Sequence, residues 1–99
     1  FDAFVAETDG HVIGMAITYF RYSTWKGKRL YLEDLIVTEK SRGLGAGQLL
    51  FQHCIQFGKE SECNGMVWQV LDWNEPAIDF YKSYNADLDG GWINGTLEF

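Results

Sequence analysis

A chain of 99 residues has room for one domain with one modest core, and 46 % hydrophobic against 22 % charged residues excludes a disordered chain. The formal net charge of −6 is uneven: residues 60–99 carry eight acids and one base, whereas residues 1–59 carry six acids and seven bases. That balance excludes nucleic acid as a good partner and favours cationic small molecules, and the short apolar runs exclude a membrane-spanning helix.

Phe4-Val5-Ala6-Glu7 alternates and runs into Thr8-Asp9-Gly10-His11, a hairpin turn signal. Val12 to Tyr22 is a long run of β-branched and aromatic residues, and Gly14 within it predicts a bulge or a close backbone approach. A second turn closes at Gly27-Lys28. Leu30 to Val37 then predicts a third strand, with Glu33 and Asp34 in its middle. The three strands are expected to form an antiparallel meander. The pattern enters a strand directly from Phe1, which predicts that a section upstream is missing.

After the polar loop Thr38-Glu39-Lys40-Ser41, Leu49, Leu50, His53, Cys54 and Phe57 recur at helical spacing. That helix is expected to end near Glu62, ahead of the Asn64-Gly65 stop signal. Met66 to Leu71 reads as a fully buried strand. Asn74 or Glu75 is expected to cap a second helix with Pro76 in its first turn, and Ala77, Phe80, Tyr81 and Tyr84 share one face. Asp87 to Gly91 reads as a loop, and Trp92 to Phe99 as a closing strand interrupted at Asn94-Gly95. The order β-β-β-α-β-α-β predicts a mixed α/β sheet with a parallel crossover and helices on both faces.

Cys54 and Cys63 make neither a disulfide framework nor a C-x-x-C pair, which points to a reducing compartment, the cytoplasm. His11 and His53 fall in no metal-ligand spacing, so no metal is expected. The informative stretch is Arg42-Gly43-Leu44-Gly45-Ala46-Gly47, three glycines at a strand-to-helix junction. Glycines there let backbone amides converge, and a helix start adds unsatisfied N–H groups and a positive dipole end, which suits a phosphate or pyrophosphate. The same residues also read as a turn that merely begins a helix. Gln48-Leu49 stands where a P-loop needs Lys-Ser/Thr, and Gln48 stands where a dinucleotide fingerprint needs its third glycine.

The glycine stretch resembles the R-x-x-G-x-G acyl-coenzyme A signature of the GNAT acetyltransferases. Tyr31-Leu32-Glu33-Asp34-Leu35-Ile36-Val37 and Trp73-Asn74-Glu75-Pro76-Ala77-Ile78-Asp79-Phe80-Tyr81-Lys82 are similar to blocks of the diamine (spermidine/spermine) N-acetyltransferase branch. The resemblance covers nearly all 99 residues, from that family's second strand to its last. It implies a GNAT domain over residues 1–99 without the usual N-terminal strand and two helices. It also implies acetyl transfer from acetyl-CoA to a primary amine of a diamine, a polyamine or a thialysine-like amino acid, and a homodimer. A coenzyme A-binding module without catalysis, or an incomplete fold fragment, is the alternative.

The resemblance also implies site residues. The backbone of Leu35, Ile36 and Val37 pairs with the pantetheine arm. Arg42, Gly43, Leu44, Gly45, Ala46, Gly47 and Gln48 hold the pyrophosphate, and Asn74, Glu75, Pro76 and Ala77 contact the coenzyme near the pantetheine. Tyr81 is the general acid. Glu33 and Asp34 hold the cationic amine, in a channel lined by Val67, Trp68 and Gln69. Tyr84 stands where the polyamine enzymes carry a basic coenzyme contact, and the loop Asp87 to Gly91 is shorter than theirs.

Chemically, a phenol with a pKa near ~10 can hand a proton to a leaving thiolate of similar basicity. Taken alone, Tyr81 on an apolar stripe reads as a core tyrosine. Glu33 and Asp34 are adjacent, so regular alternation turns only one of them to a cleft unless a bulge re-aims both, and Glu33 is the expected one. A carboxylate raises the pKa of an amine beside it, so Glu33 is expected to position the amine and accept a proton through water. A strand amide near Leu35 or Ile36 could polarise the thioester carbonyl.

Overall fold

The computed structural model describes residues 1–41, 43, 45–91 and 95–99. They form two compact units, Phe1–Gln69 and Val70–Phe99.

In the first unit, strands β1 (Asp2–Thr8), β2 (His11–Ser23), β3 (Gly27–Val37) and β4 (Met66–Trp68) lie side by side in that order. The first three form the expected antiparallel meander, and β4 pairs with β3 in parallel. The β1–β2 turn is tight because Asp9 and Gly10 both take positive φ, +50° and +79°, which suits the right-handed twist of a hairpin. Helix α1 (Ala46–Glu60) makes the crossover from β3 to β4, after a short 3-10 turn at Glu39–Ser41.

Helix α1 packs on the sheet face that carries Phe4, Ala16, Thr18, Phe20, Leu30 and Leu32. Phe4 meets His53 and Phe57 edge-on, with ring centroids 4.6 and 5.1 Å apart, and Phe20 stacks on Phe57. Leu30, Leu32, Leu50, Phe51 and Cys54 are buried there. Lys28 closes the end of this core: its ammonium lies over the Phe20 ring and donates to the Ser61 carbonyl at 2.7 Å. Gly14 answers to both expectations made of it. Ile13 is the extra residue of a bulge opposite Ala6 and Glu7, and Gly14 lies directly beneath α1.

In three places the structure departs from the sequence pattern. The buried stripe of α1 is Ala46, Leu50, Phe51, Cys54 and Gly58; Leu49 is 66 % exposed, and His53 is exposed too, its ring edge-on to Phe4. The strand expected from Met66 to Leu71 stops at Trp68, opposite Leu32 and just before the β3 bulge, and it is half-buried rather than fully buried. In the second unit, Gly95 to Phe99 form no strand; Trp92, Ile93 and Asn94 of the expected closing strand lie outside the described residues. The one helix described there, α2 (Glu75–Lys82), begins where Asn74 and Pro76 predict. No helix among the described residues is long and apolar enough to cross a membrane.

Candidate functional site

The centre of β3 is irregular where the two acids lie. Ile17 pairs with Asp34 and Thr18 with Leu32, so Glu33 is an extra residue with no partner across β2. A bulge of this kind breaks alternation and increases local twist. Leu32 and its partner Thr18 are turned to α1, whereas Asp34 sits opposite Ile17 on the other face. The bulge is the exception to regular alternation allowed for above, and Glu33 and Asp34 are both exposed around it.

The bulge also ends the pairing of β3 with β4. Leu30, Tyr31 and Leu32 pair with Met66, Val67 and Trp68, and the ladder stops there. Beyond it, Leu35, Ile36 and Val37 bond to Ala16, Met15 and Gly14 of β2, while their other edge has no strand partner among the described residues. Such an edge is a ready template for another extended chain. Of the residues expected to line a channel, Val67 and Trp68 are half-buried in β4, Gln69 is exposed beyond it, and the Trp68 ring turns edge-on to Phe51 of α1.

The glycine turn leads into α1. Gly43 and Gly45 have φ of +89° and +83°, a backbone region L side chains avoid, and a Cβ on either would meet no atom within 4 Å. Gly45 is the N-cap, no side chain caps the helix, and its first turn carries no acid. The first helical bond runs from the Leu49 amide to the Gly45 carbonyl at 3.0 Å, which leaves the amides of Ala46, Gly47 and Gln48 without helical acceptors. Arg42 and Leu44, two of the expected phosphate contacts, lie outside the described residues.

A third group was not expected from the sequence. On the face of the sheet turned away from α1, Tyr19 and Tyr31 are direct cross-strand partners with ring centroids 5.0 Å apart. The Arg21 guanidinium lies over the Tyr31 ring, 4.9 Å from its centroid. Burial, then Tyr19 and the Glu33 carboxylate, push the Tyr31 phenol above its ordinary value, and Arg21 opposes them. The signal lay in register: the β2–β3 turn pairs Ser23 with Gly27, and counting back from it pairs Tyr19 with Tyr31.

In the second unit, the Asn74 carboxamide accepts the Ala77 amide at 3.3 Å and so caps α2, with Glu75 and Pro76 exposed in the first turn. Tyr81 is buried on α2, 9 % exposed, and burial raises its phenol above the ordinary value. Among the described residues no group of three or more His, Cys, Asp or Glu side chains is placed to hold a metal ion.

Residues 2–85 match the model of the acetyltransferase (GNAT) family. The bovine (Bos taurus) thialysine N-epsilon-acetyltransferase is 40 % identical over 75 residues, covering 76 % of this chain and 44 % of that protein. The human (Homo sapiens) spermidine/spermine N(1)-acetyltransferase-like protein 1 is 41 % identical over 83 residues, covering 81 % of this chain and 12 % of that protein. An integron cassette protein from the mobile metagenome of V. cholerae superposes with a TM-score of 0.88 at 26 % identity, over 98 % of this chain and 60 % of that one. The chain thus spans less than two thirds of the length of each of these relatives. A family match over most of its length, on a fold with an opened β3 edge and a glycine turn at the head of α1, means that the chain belongs to the GNAT acetyltransferase family.

Proposed function

We propose that the protein moves an acetyl group from acetyl-CoA to a primary amine of a diamine, a polyamine or a similar small cationic amine. The observation that carries the reading is the bulge at Glu33, which places two exposed carboxylates beside a strand edge that β4 leaves open. The relatives' names, which specify thialysine, spermidine and spermine, support an amine acceptor.

The chain's own backbone suits both halves of the coenzyme. An amide-bearing arm can add to the free edge at Leu35, Ile36 and Val37 as a further strand. A diphosphate suits the turn from Arg42 to Gln48, where Gly43 and Gly45 keep the approach clear, Ala46, Gly47 and Gln48 present amides, and no acid opposes an anion. Asn74, Glu75, Pro76 and Ala77 are assigned to the coenzyme near the pantetheine. Acetyl-CoA would supply the activated thioester, and the protein's task is then to hold the amine and to move protons.

Glu33, with Asp34, draws in the cationic acceptor, in a channel assigned to Val67, Trp68 and Gln69. Because the carboxylate favours the ammonium form, Glu33 positions the amine and takes its proton through water. Tyr81 is assigned the opposite transfer. Burial keeps its phenol protonated beyond the ordinary range, the form that can donate to a departing thiolate. Two free cysteines accord with a cytoplasmic setting, and the protein is expected to work as a homodimer.

The test is thiol release from acetyl-CoA by the full-length protein against a panel of mono-, di- and polyamines. Release with diamines is expected. Coenzyme binding with no release for any amine would leave a non-catalytic coenzyme A-binding module, and no coenzyme binding would end both readings.

A further inference from the structure

Along the face of the sheet turned away from α1, charge is ordered. Arg21 and Arg29 are cross-strand partners at one end, Tyr19 and Tyr31 lie between, and Asp34 opposite Ile17, with Glu33 at the bulge, marks the other end. The two arginines differ in what they touch. Arg29 donates to the Asn64 carboxamide oxygen at 3.2 Å and packs against Gly65, where an added Cβ would stand 2.7 Å from its guanidinium carbon. Arg21 is exposed, stacks on Tyr31 and makes no ion pair or hydrogen bond among the described residues. Stacking holds the planar guanidinium in a defined place with its N–H fork unspent, the arrangement that recognises a carboxylate bidentately.

We infer that Arg21, laid on Tyr31, is a specificity-determining residue that binds the carboxylate of a zwitterionic acceptor, while Glu33 holds that acceptor's terminal amine at the bulge. The inference rests on the acetyl-transfer reading above and narrows its acceptor to a basic amino acid. Tyr31 and Glu33 are two residues apart on β3, with Glu33 the extra residue of the bulge. A diamino acid with a four-carbon side chain carries a carboxylate at one end and an ammonium at the other. The two charged ends of such a molecule match the two charged ends of the track in sign and in order. A linear diamine matches only at Glu33; its second ammonium comes to rest against the Arg21 guanidinium, and like charges repel. Both side chains exert their charge on the one phenol between them, Glu33 raising and Arg21 lowering the Tyr31 pKa, which sets both within electrostatic reach of that ring.

L-Lysine and 1,5-diaminopentane differ only by the carboxylate, so their ratio of affinities isolates it. Calorimetric titration of the full-length protein, with coenzyme A present, is expected to favour L-lysine. Arg21→Gln is expected to weaken L-lysine by about 10- to 100-fold, the loss of one charge-assisted pair. The same variant should tighten 1,5-diaminopentane, and Arg21→Lys should recover part of the preference because it keeps the charge without the planar fork. An affinity ratio that is the same in wild type and Arg21→Gln, a preference for the diamine in wild type, or no binding of L-lysine overturns the inference. Acetyl turnover is read separately: L-lysine that binds through Arg21 but is never acetylated, with no other amine acetylated either, counts against the acetyl-transfer reading and not against the anchor.

Discussion

Gly14 on β2 lies so close beneath Leu50 of α1 that a Cβ added to it would stand 2.9 Å from the leucine Cδ1 and 3.2 Å from the carbonyl oxygen of Ile36. Leu50 is buried and the carbonyl belongs to the sheet, so neither can easily yield. Gly14→Ala is therefore expected to cost about 1–3 kcal/mol, the usual range for overpacking. Urea denaturation of the two proteins measures it. Stability equal to wild type would mean that the helix can lift off the strand without loss.

Much of this arrangement was legible beforehand, and the exceptions share a cause. Gly14 announced a bulge or a close approach because a glycine inside a β-branched run has few other reasons to be there. Asn74 and Pro76 announced α2 because capping is local chemistry. What stayed hidden was set by non-local pairing. Nothing within residues 30–37 tells that Glu33 is skipped by β2; that depends on the register of both strands. The same skip ends the ladder to β4, which is why a strand expected to reach Leu71 stops at Trp68. Tyr19, Arg21 and Tyr31 looked like unremarked members of two strands until pairing put them on one face.

Gly45 separates strain from obstruction. Its φ of +83° penalises any L side chain, yet its surroundings are open. Gly45→Ala is expected to lower stability by about 1–2 kcal/mol, and Gly45→Asn by less, since Asn tolerates the left-handed region. Both put a side chain at the mouth of the glycine turn. Coenzyme A affinity, measured by calorimetry, is expected to fall in both, and no less in the Asn variant. If affinity instead recovers in step with stability, the glycine serves the turn alone.

Cys54 offers a pH-dependent test of the core. Burial pushes its thiol up to about 11, from 9.0 in the unfolded chain. Below pH 9 both states hold the proton and the full stability is present. Between pH 9 and about 11 the unfolded chain ionises first, so stability falls as pH rises, by about 2–3 kcal/mol in all. The raised pKa values of Tyr31 and Tyr81 act in the same direction above pH 10. Cys54→Ala should be less stable at pH 7 but lose less between pH 9 and 11. Parallel stability-versus-pH curves for the two proteins would show that the thiol ionises as easily folded as unfolded.

Glu33 is placed to act on its neighbour as well as on a ligand. With its charge removed in Glu33→Gln, the Tyr31 phenol is expected to ionise at lower pH, since one of the influences raising it is gone. Ultraviolet difference titration against wild type reads that shift without any substrate. In turnover, the variant is expected to raise KM for dicationic acceptors by about 10- to 100-fold and for monocations by less. A displaced tyrosine titration with equal KM changes for both classes would leave the carboxylate near Tyr31 but outside acceptor recognition.

Tyr81 is buried on α2, and a buried tyrosine on an amphipathic helix is ordinarily a core residue. Its hydroxyl is what distinguishes the two roles. Tyr81→Phe keeps the ring and its packing, including the edge-on contact with Phe80 at 5.5 Å, so the fold should survive. If the phenol protonates the leaving thiolate, kcat falls by about 10²–10⁴ with coenzyme affinity nearly unchanged. The wild-type rate should also decline at high pH, once the phenol ionises, at a value above 10 because burial raises it; the variant should lack that limb. An acetyl donor with a more acidic leaving group needs less proton donation, so the defect should shrink with such a donor. A defect equally large for every donor, or a kcat that does not move, would return Tyr81 to the core.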